Sequence, residues 1–227
     1  RKIEKCLSTN ARIGRINQRS FSTYTIFIIM LDWLKNINKE HPEFWKNYTS
    51  KFGKKSNRYV SLSVETTGLN PNKDVILSFG AIAVVNDTIL IGDTFEIAIP
   101  QYKYLHDNGI TNDFLLESAQ PKLAEPAAIE AFINYLGNAT LVGHRIHFDV
   151  AMINEALEKL ACGRLKNEAL DIEIMYKKLH DIGDKNFSLD ELANLFKIPK
   201  TERISTTDDA FTIALLFLKL KSRLKLQ

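Results

Sequence analysis

Three short segments concentrate the acids, histidines and hydroxyls with which a protein does chemistry. Ser63-Val64-Glu65-Thr66-Thr67-Gly68-Leu69 sets one carboxylate among hydroxyls ahead of a glycine. Leu141-Val142-Gly143-His144-Arg145-Ile146-His147-Phe148-Asp149 carries two histidines and an arginine into an acid, and Asp208-Asp209-Ala210 joins two acids. Carboxylates and imidazoles are residue types of proton transfer, and carboxylate oxygens are what hard divalent cations accept. Each segment also has a plainer reading. Asp149 and Asp209 fall near predicted helix starts, where an acid interacts favourably with the helix dipole by about 0.3–1 kcal/mol whatever else it does. Thr66-Thr67-Gly68 makes a good turn in its own right, and His147 reads as a solvent-facing side chain.

The elements that must position these segments follow from hydrophobic patterning. Residues 58–64 alternate as a strand running into the Thr66-Thr67-Gly68 turn, 75–85 form a long apolar strand with Gly80 in its middle, and 88–99 form a third strand after the tight turn Asn86-Asp87. Three successive strands of this kind predict an antiparallel meander. Helical patterns follow at 113–119 and 126–136, then a short strand at 140–143 and a helix at about 148–160. An apolar stretch leads from Ala169 into a helical 174–179. Ser188-Leu189-Asp190-Glu191 is a capping box ahead of Leu192, Leu195 and Phe196, and a last helix is predicted at about 207–224. Strands first, then alternating helices and strands, give an α/β domain with a mixed sheet flanked by helices.

A length of 227 residues fits one domain with an appendage. Hydrophobic residues at 45% and charged residues at 25% exclude collagen-like, low-complexity and wholly disordered classes. Two cysteines, Cys6 and Cys162, exclude a disulfide framework and a cysteine zinc site, and point to a reducing compartment, the cytoplasm. Cys162 reads as a packed thiol at a helix end. The net charge of +3 hides a division: residues 1–56 carry 12 Lys and Arg against 4 acids, whereas the remainder carries 18 against 23. The basic excess lies wholly at the front, where a polyanion would be attracted.

Segment 1–29 is Arg- and Ser/Thr-rich with one acid, as in a transit sequence. Its apolar run 24–31 is far shorter than the roughly 20 residues of a membrane span, so no membrane partner is expected. We read 1–29 as a leader or a fragment of upstream sequence, poorly ordered, and 30–57 as a short amphipathic helical extension and linker. The aromatic stripe of that extension is expected to pack on the chain's own domain, 58–227.

The three segments, in this order and on these elements, resemble the motifs of the DnaQ-like 3′–5′ exonucleases, the proofreading and ribonuclease T type. That family's pattern is Asp-x-Glu-Thr-Thr-Gly, then Gly-His-Asn-x-x-Phe-Asp, then a third motif with Asp-Asp-Ala. The resemblance covers about 58–222 and implies a ribonuclease H-like fold, an antiparallel meander extended by parallel strands. It further implies a two-metal displacement, in which Mg²⁺ or Mn²⁺ ions stabilise the attacking and leaving oxygens of a phosphodiester and a histidine takes a proton from water. By the resemblance, Glu65, Asp149 and Asp209 fall on catalytic, metal-ligating positions. Thr66, Thr67, Leu69 and His144 fall on substrate-binding positions. The implied partners are a single-stranded nucleic-acid 3′ end and, for the proofreading type, a DNA polymerase, as with the epsilon subunit of DNA polymerase III.

Two positions depart from the pattern. Ser63 stands where the family has its first aspartate, and Ile204 where it has its histidine; a tyrosine variant would place Tyr at Ser205. A neutral hydroxyl in place of a carboxylate weakens metal binding. Arg145 replaces the second motif's asparagine and adds a cation able to pair with Glu65 or Asp149, or to meet a phosphate, with solvent exposure as the alternative. Two function classes therefore stand: a 3′–5′ exonuclease with a weakened site, or the same fold without turnover as a nucleic-acid-binding or protein-docking module.

Overall fold

In the computed structural model, which describes residues 41–100, 120–199 and 205–225, the alternating residues at the start of the body form strand β1 (Arg58–Thr66). The leader 1–29, the extension up to residue 40, the helix expected at 113–119, and Cys6 and Ile204 lie outside the described residues. Val60 and Leu62 enter the main core on one face of β1. On the other face Tyr59 packs its ring on Phe217, and the Ser61 hydroxyl donates to the Ala210 carbonyl at 2.7 Å. The apolar run after the turn becomes β2 (Ile76–Val85), buried along almost all of its length because both faces of the sheet are covered. It is followed by β3 (Thr88–Ala98).

The pairing is antiparallel from Arg58↔Val85 to Thr66↔Ile76, and again between β2 and β3, which makes the predicted meander. Strand β4 (Thr140–Gly143) then pairs parallel to β1, and β5 (Ala169–Asp171) parallel to β4, in the order β3-β2-β1-β4-β5. The mixed sheet is as expected. Strand β5 was not separable from the helix after it in the sequence, because three residues are too few to display a period of two.

Six helices accompany the sheet among the described residues: α1 (Glu43–Ser50), α2 (Glu125–Leu136), α3 (Ile146–Lys159), α4 (Ile172–His180), α5 (Leu189–Leu195) and α6 (Thr206–Leu224). Helix α1 and the 3₁₀ turn Lys51–Gly53 after it carry the aromatic stripe, and Trp45 and Tyr48 are buried in the same core as Phe79, Phe132 and Leu157. A second core gathers Ile172, Leu192, Phe196 and Phe217 from α4 to α6. The predicted capping box is present, with the Ser188 hydroxyl accepting from the Glu191 amide while Glu191 accepts from the Ser188 amide. A second box, Ser205 with Asp208, opens α6. Helix α3 begins two residues earlier than the pattern indicated, on an Arg145 held in the left-handed region at φ 56°. Among the described residues no helix is long and apolar enough to cross a membrane.

One glycine sets how closely α6 approaches the sheet. A Cβ at Gly80 would overlap the Thr206 carbonyl and the Thr207 amide, far inside the 3.0 Å that real Cβ atoms respect. The start of α6, and with it Asp209, therefore rests directly on the middle of β2.

Candidate active site

Ser63 and Glu65 follow Ser61 on the face of β1 that α6 covers. Across the ladder Glu65 stands opposite Ser78. The Ser78 hydroxyl lies 2.6 Å from that of Thr206, within hydrogen-bond distance, and also interacts with the Glu65 carboxylate. Although Glu65 is an exposed residue, partial desolvation of its carboxyl raises its proton affinity. The Ser78 hydrogen bond opposes the rise and the nearby charge of Asp209 adds to it. Glu65 and Asp209 are thus electrostatic neighbours, brought together by a strand and a helix that Gly80 lets meet.

Asp149 arrives from the first turn of α3 and is only 8% exposed. Burial, reinforced by the adjacent carboxylate of Asp171, pushes its pKa well above the usual carboxylate range. Asp171 escapes attention in the sequence yet joins two helices. Its Oδ1 caps α4 by accepting from the Glu173 and Ile174 amides, and its Oδ2 accepts from the Ile146 amide at the start of α3. The available signal was an acid directly ahead of an apolar helix start, the usual N-cap pattern.

A cavity of about 270 Å³ opens where these elements end, lined by Ser63, His144, Asp149, Asp190, Asp209 and the Ser188-Leu189 turn, among others. It brings together three of the expected positions, Asp149, Asp209 and His144, with Ser63, which the resemblance aligns with the family's first aspartate; Glu65 is not part of its lining. Asp190, from the capping box, was not anticipated there. Thr66, Thr67 and Leu69 are not part of its lining. Their hydroxyls hold the turn: Thr66 Oγ1 donates to the Gly68 carbonyl at 2.8 Å, and Thr67 Oγ1 donates to Asp74 while accepting from the Val75 amide. Leu69 projects from this fixed turn, 83% exposed.

After Asp171, Glu173 is a second such residue, marked by no motif. Its buried carboxylate accepts from the Phe187 amide at 3.0 Å, from Arg145 Nε at 3.1 Å and from Lys177 at 2.9 Å. Burial works to raise its pKa, but the hydrogen bonds from Lys177, Phe187 and Arg145 outweigh it and hold the group at about 2. Arg145 therefore pairs with neither Glu65 nor Asp149, because the left-handed turn before α3 directs it along α4 instead. Its own side chain is half exposed. His144 Nε2 lies 2.8 Å from the Phe187 carbonyl, which can only accept, so that nitrogen carries a proton. Glu173 stands 3.6 Å from the same nitrogen. His147 is exposed. Among the described residues no three acids, histidines or cysteines are disposed to hold a metal ion as they lie.

Known proteins share the sequence family and the fold. The family model for exonucleases of the ribonuclease T type matches residues 60–217. The chain is 31% identical over 175 residues to the epsilon subunit of DNA polymerase III from Buchnera aphidicola subsp. Acyrthosiphon pisum, covering 71% of each. It is 30% identical over 178 residues to the PolC-type DNA polymerase III of Caldanaerobacter subterraneus subsp. tengcongensis, where it spans 74% of this chain but only 12% of the polymerase. Among solved structures, Escherichia coli exonuclease I in complex with a dT13 oligonucleotide superposes with a TM-score of 0.56 at 17% identity, covering 75% of this chain and 42% of that one. Exonuclease I from Methylocaldum szegediense gives a TM-score of 0.57 at 17% identity over the same shares. The expected ribonuclease H-like sheet is the fold they have in common.

Proposed function

Because this chain belongs to the exonuclease family of the ribonuclease T type, we propose that it holds the 3′ end of a single-stranded nucleic acid at the cavity and removes nucleotides slowly, as a 3′–5′ exonuclease with a weakened metal site. The observation that carries this reading is Asp149, a buried carboxylate facing the cavity beside a second carboxylate. Two acids so placed repel one another, and a cation relieves that repulsion. Asp149, Asp209 and Glu65 offer the hard oxygen donors that Mg²⁺ or Mn²⁺ takes, and are the residues that would hold it. Such an ion supplies neutralisation of phosphodiester charge and an acidified water. Ser63 contributes only a neutral hydroxyl, so affinity is lower than a fourth carboxylate would give.

The chain's own residues supply the rest. The rigid Thr66–Leu69 turn presents Leu69 to the terminal base, and His144, oriented by Phe187 and Glu173, borders the cavity with its Nε2 proton directed at the Phe187 carbonyl. That nitrogen is not available to take a proton from water. With Ile204 where the family has its histidine, the missing base slows hydrolysis by about 10²–10⁴. A DNA polymerase is the proposed protein partner, by analogy with the epsilon subunit.

A second reading, a domain that binds ends without cutting them, is favoured by Ser63 itself, since a hydroxyl there removes a charged donor from the site. The two separate in a nuclease assay on a labelled single strand with Mg²⁺ or Mn²⁺, run beside Ser63→Asp, Ile204→His and the double variant. Cleavage by the unaltered chain that disappears in Asp149→Ala supports the slow exonuclease. Cleavage by the double variant alone supports the binding domain. If nothing cleaves and neither metal raises thermal stability, the assignment of the site is wrong.

A further inference from the structure

At the far end of β1 from the cavity, a second cleft of about 430 Å³ is lined by Lys54, Lys55 and Lys166, with Glu168 as its one acid. Lys51 lies beside it, its side chain passing 3.6 Å from where a Cβ of Gly137 would stand. The strand rise places this cleft about 20 Å or more from Glu65. All four lysines are exposed, and none takes part in an ion pair among the described residues.

Surface lysines ordinarily spread apart, but here the backbone that carries them is locked in place. Asn138 Nδ2 donates to the carbonyls of both Lys51 and Lys54, at 3.0 and 2.8 Å. The buried Tyr48 phenol accepts from the Lys166 amide at 2.8 Å and donates to Asn167 Oδ1 at 2.6 Å. Asn167 in turn donates to the Gly137 and Ala139 carbonyls. The turn 51–55, the turn 137–139 and the segment 166–168 are therefore bound into one frame, in which the first and the last present lysines to a common space. Convergence of like charges in a preorganised frame is unfavourable until an anion enters.

We propose that this cleft binds the phosphodiester backbone of the single strand whose 3′ end occupies the cavity, several nucleotides upstream of that end. The inference rests on the strand-binding reading above and supplies what the cavity lacks. An acidic cavity repels phosphate, whereas a basic cleft on the same body attracts it.

The test compares a labelled trinucleotide with a long oligothymidylate, bound by the full chain, by a Lys54→Glu/Lys55→Glu/Lys166→Glu variant, by the corresponding Gln variant, and by a control with Lys178→Glu/Lys197→Glu/Lys219→Glu. For the long strand, the slope of log affinity against log salt falls by about two in the cleft variants, at roughly 0.7 per phosphate contact on a single strand. The trinucleotide is bound as before, and the control keeps most of the slope. Equal losses in cleft and control variants, or an unchanged slope in the Gln variant, overturn the proposal while leaving end binding intact. Failure of the unaltered chain to bind either ligand overturns both.

Discussion

Replacing Gly80 by alanine tests the claim that a close approach between β2 and α6 assembles the cavity. The added methyl overlaps main-chain atoms of Thr206 and Thr207, which cannot swing aside as a side chain would, so the start of α6 must retreat on the order of an ångström. Overpacking of this kind costs about 1–3 kcal/mol. The retreat also breaks the Ser78–Thr206 hydrogen bond at 2.6 Å and the Ser61–Ala210 bond at 2.7 Å, each contributing about 1 kcal/mol. Alanine gains something back, since glycine in a strand is disfavoured by roughly 0.5–1 kcal/mol. The net loss is about 2–4 kcal/mol, which for a chain of this size lowers the midpoint of thermal unfolding by roughly 10 °C. Denaturant unfolding of Gly80→Ala beside Gly92→Ala measures it, because Gly92 has nothing within 4 Å of its added methyl and its variant stays near the parent. A Gly80→Ala loss below about 1 kcal/mol would refute the reasoning.

Other outcomes follow from the same geometry. Tyr48→Phe removes two hydrogen bonds from a buried frame and lowers stability by about 1–3 kcal/mol; chemical unfolding reads it, and a neutral result would show that the frame is not rigid. Glu173 is held at about 2, so its stabilising contribution is complete above the ordinary carboxylate pKa and fades as pH falls towards 2. Glu173→Gln should flatten that acid limb in a pH series of unfolding midpoints, and an unchanged limb would count against the Arg145 and Lys177 contacts. Asp149 has the opposite sign: its raised pKa makes the fold bind a proton more tightly than the unfolded chain, so its cost grows as pH rises above the usual range. Asp149→Asn should therefore raise metal-free stability at neutral pH and abolish any Mg²⁺-dependent gain, as calorimetry with and without the ion would show.

The strands and helices with a long period were legible in advance. The alternation from Arg58, the apolar run of β2 and the Ser188 capping box appear where the pattern placed them, because each is enforced by a local rule over several residues. Strand β5 and the acids Asp171 and Glu173 were not, since their roles depend on which helix ends meet. Arg145 shows the limit well. Its chemical type suggested a cation for the acidic cluster, but a backbone turn at φ 56° decided which acid it reached. The cavity positions were found by their resemblance to motifs, whereas the Asp149–Asp171 repulsion needed the third dimension.

The two faces of β1 have separate fortunes. Val60 and Leu62 secure the strand in the core, whereas Ser63 and Glu65 point to the other side. A substitution at Ser63 or Glu65 leaves the packing of Val60 and Leu62 undisturbed, so the chemical character of this end of the strand can change without unfolding the chain. Position 63, which lines the cavity, is where that freedom matters most. It also makes a carboxylate at position 63 a small step, since the strand and the cavity that would receive it are already built.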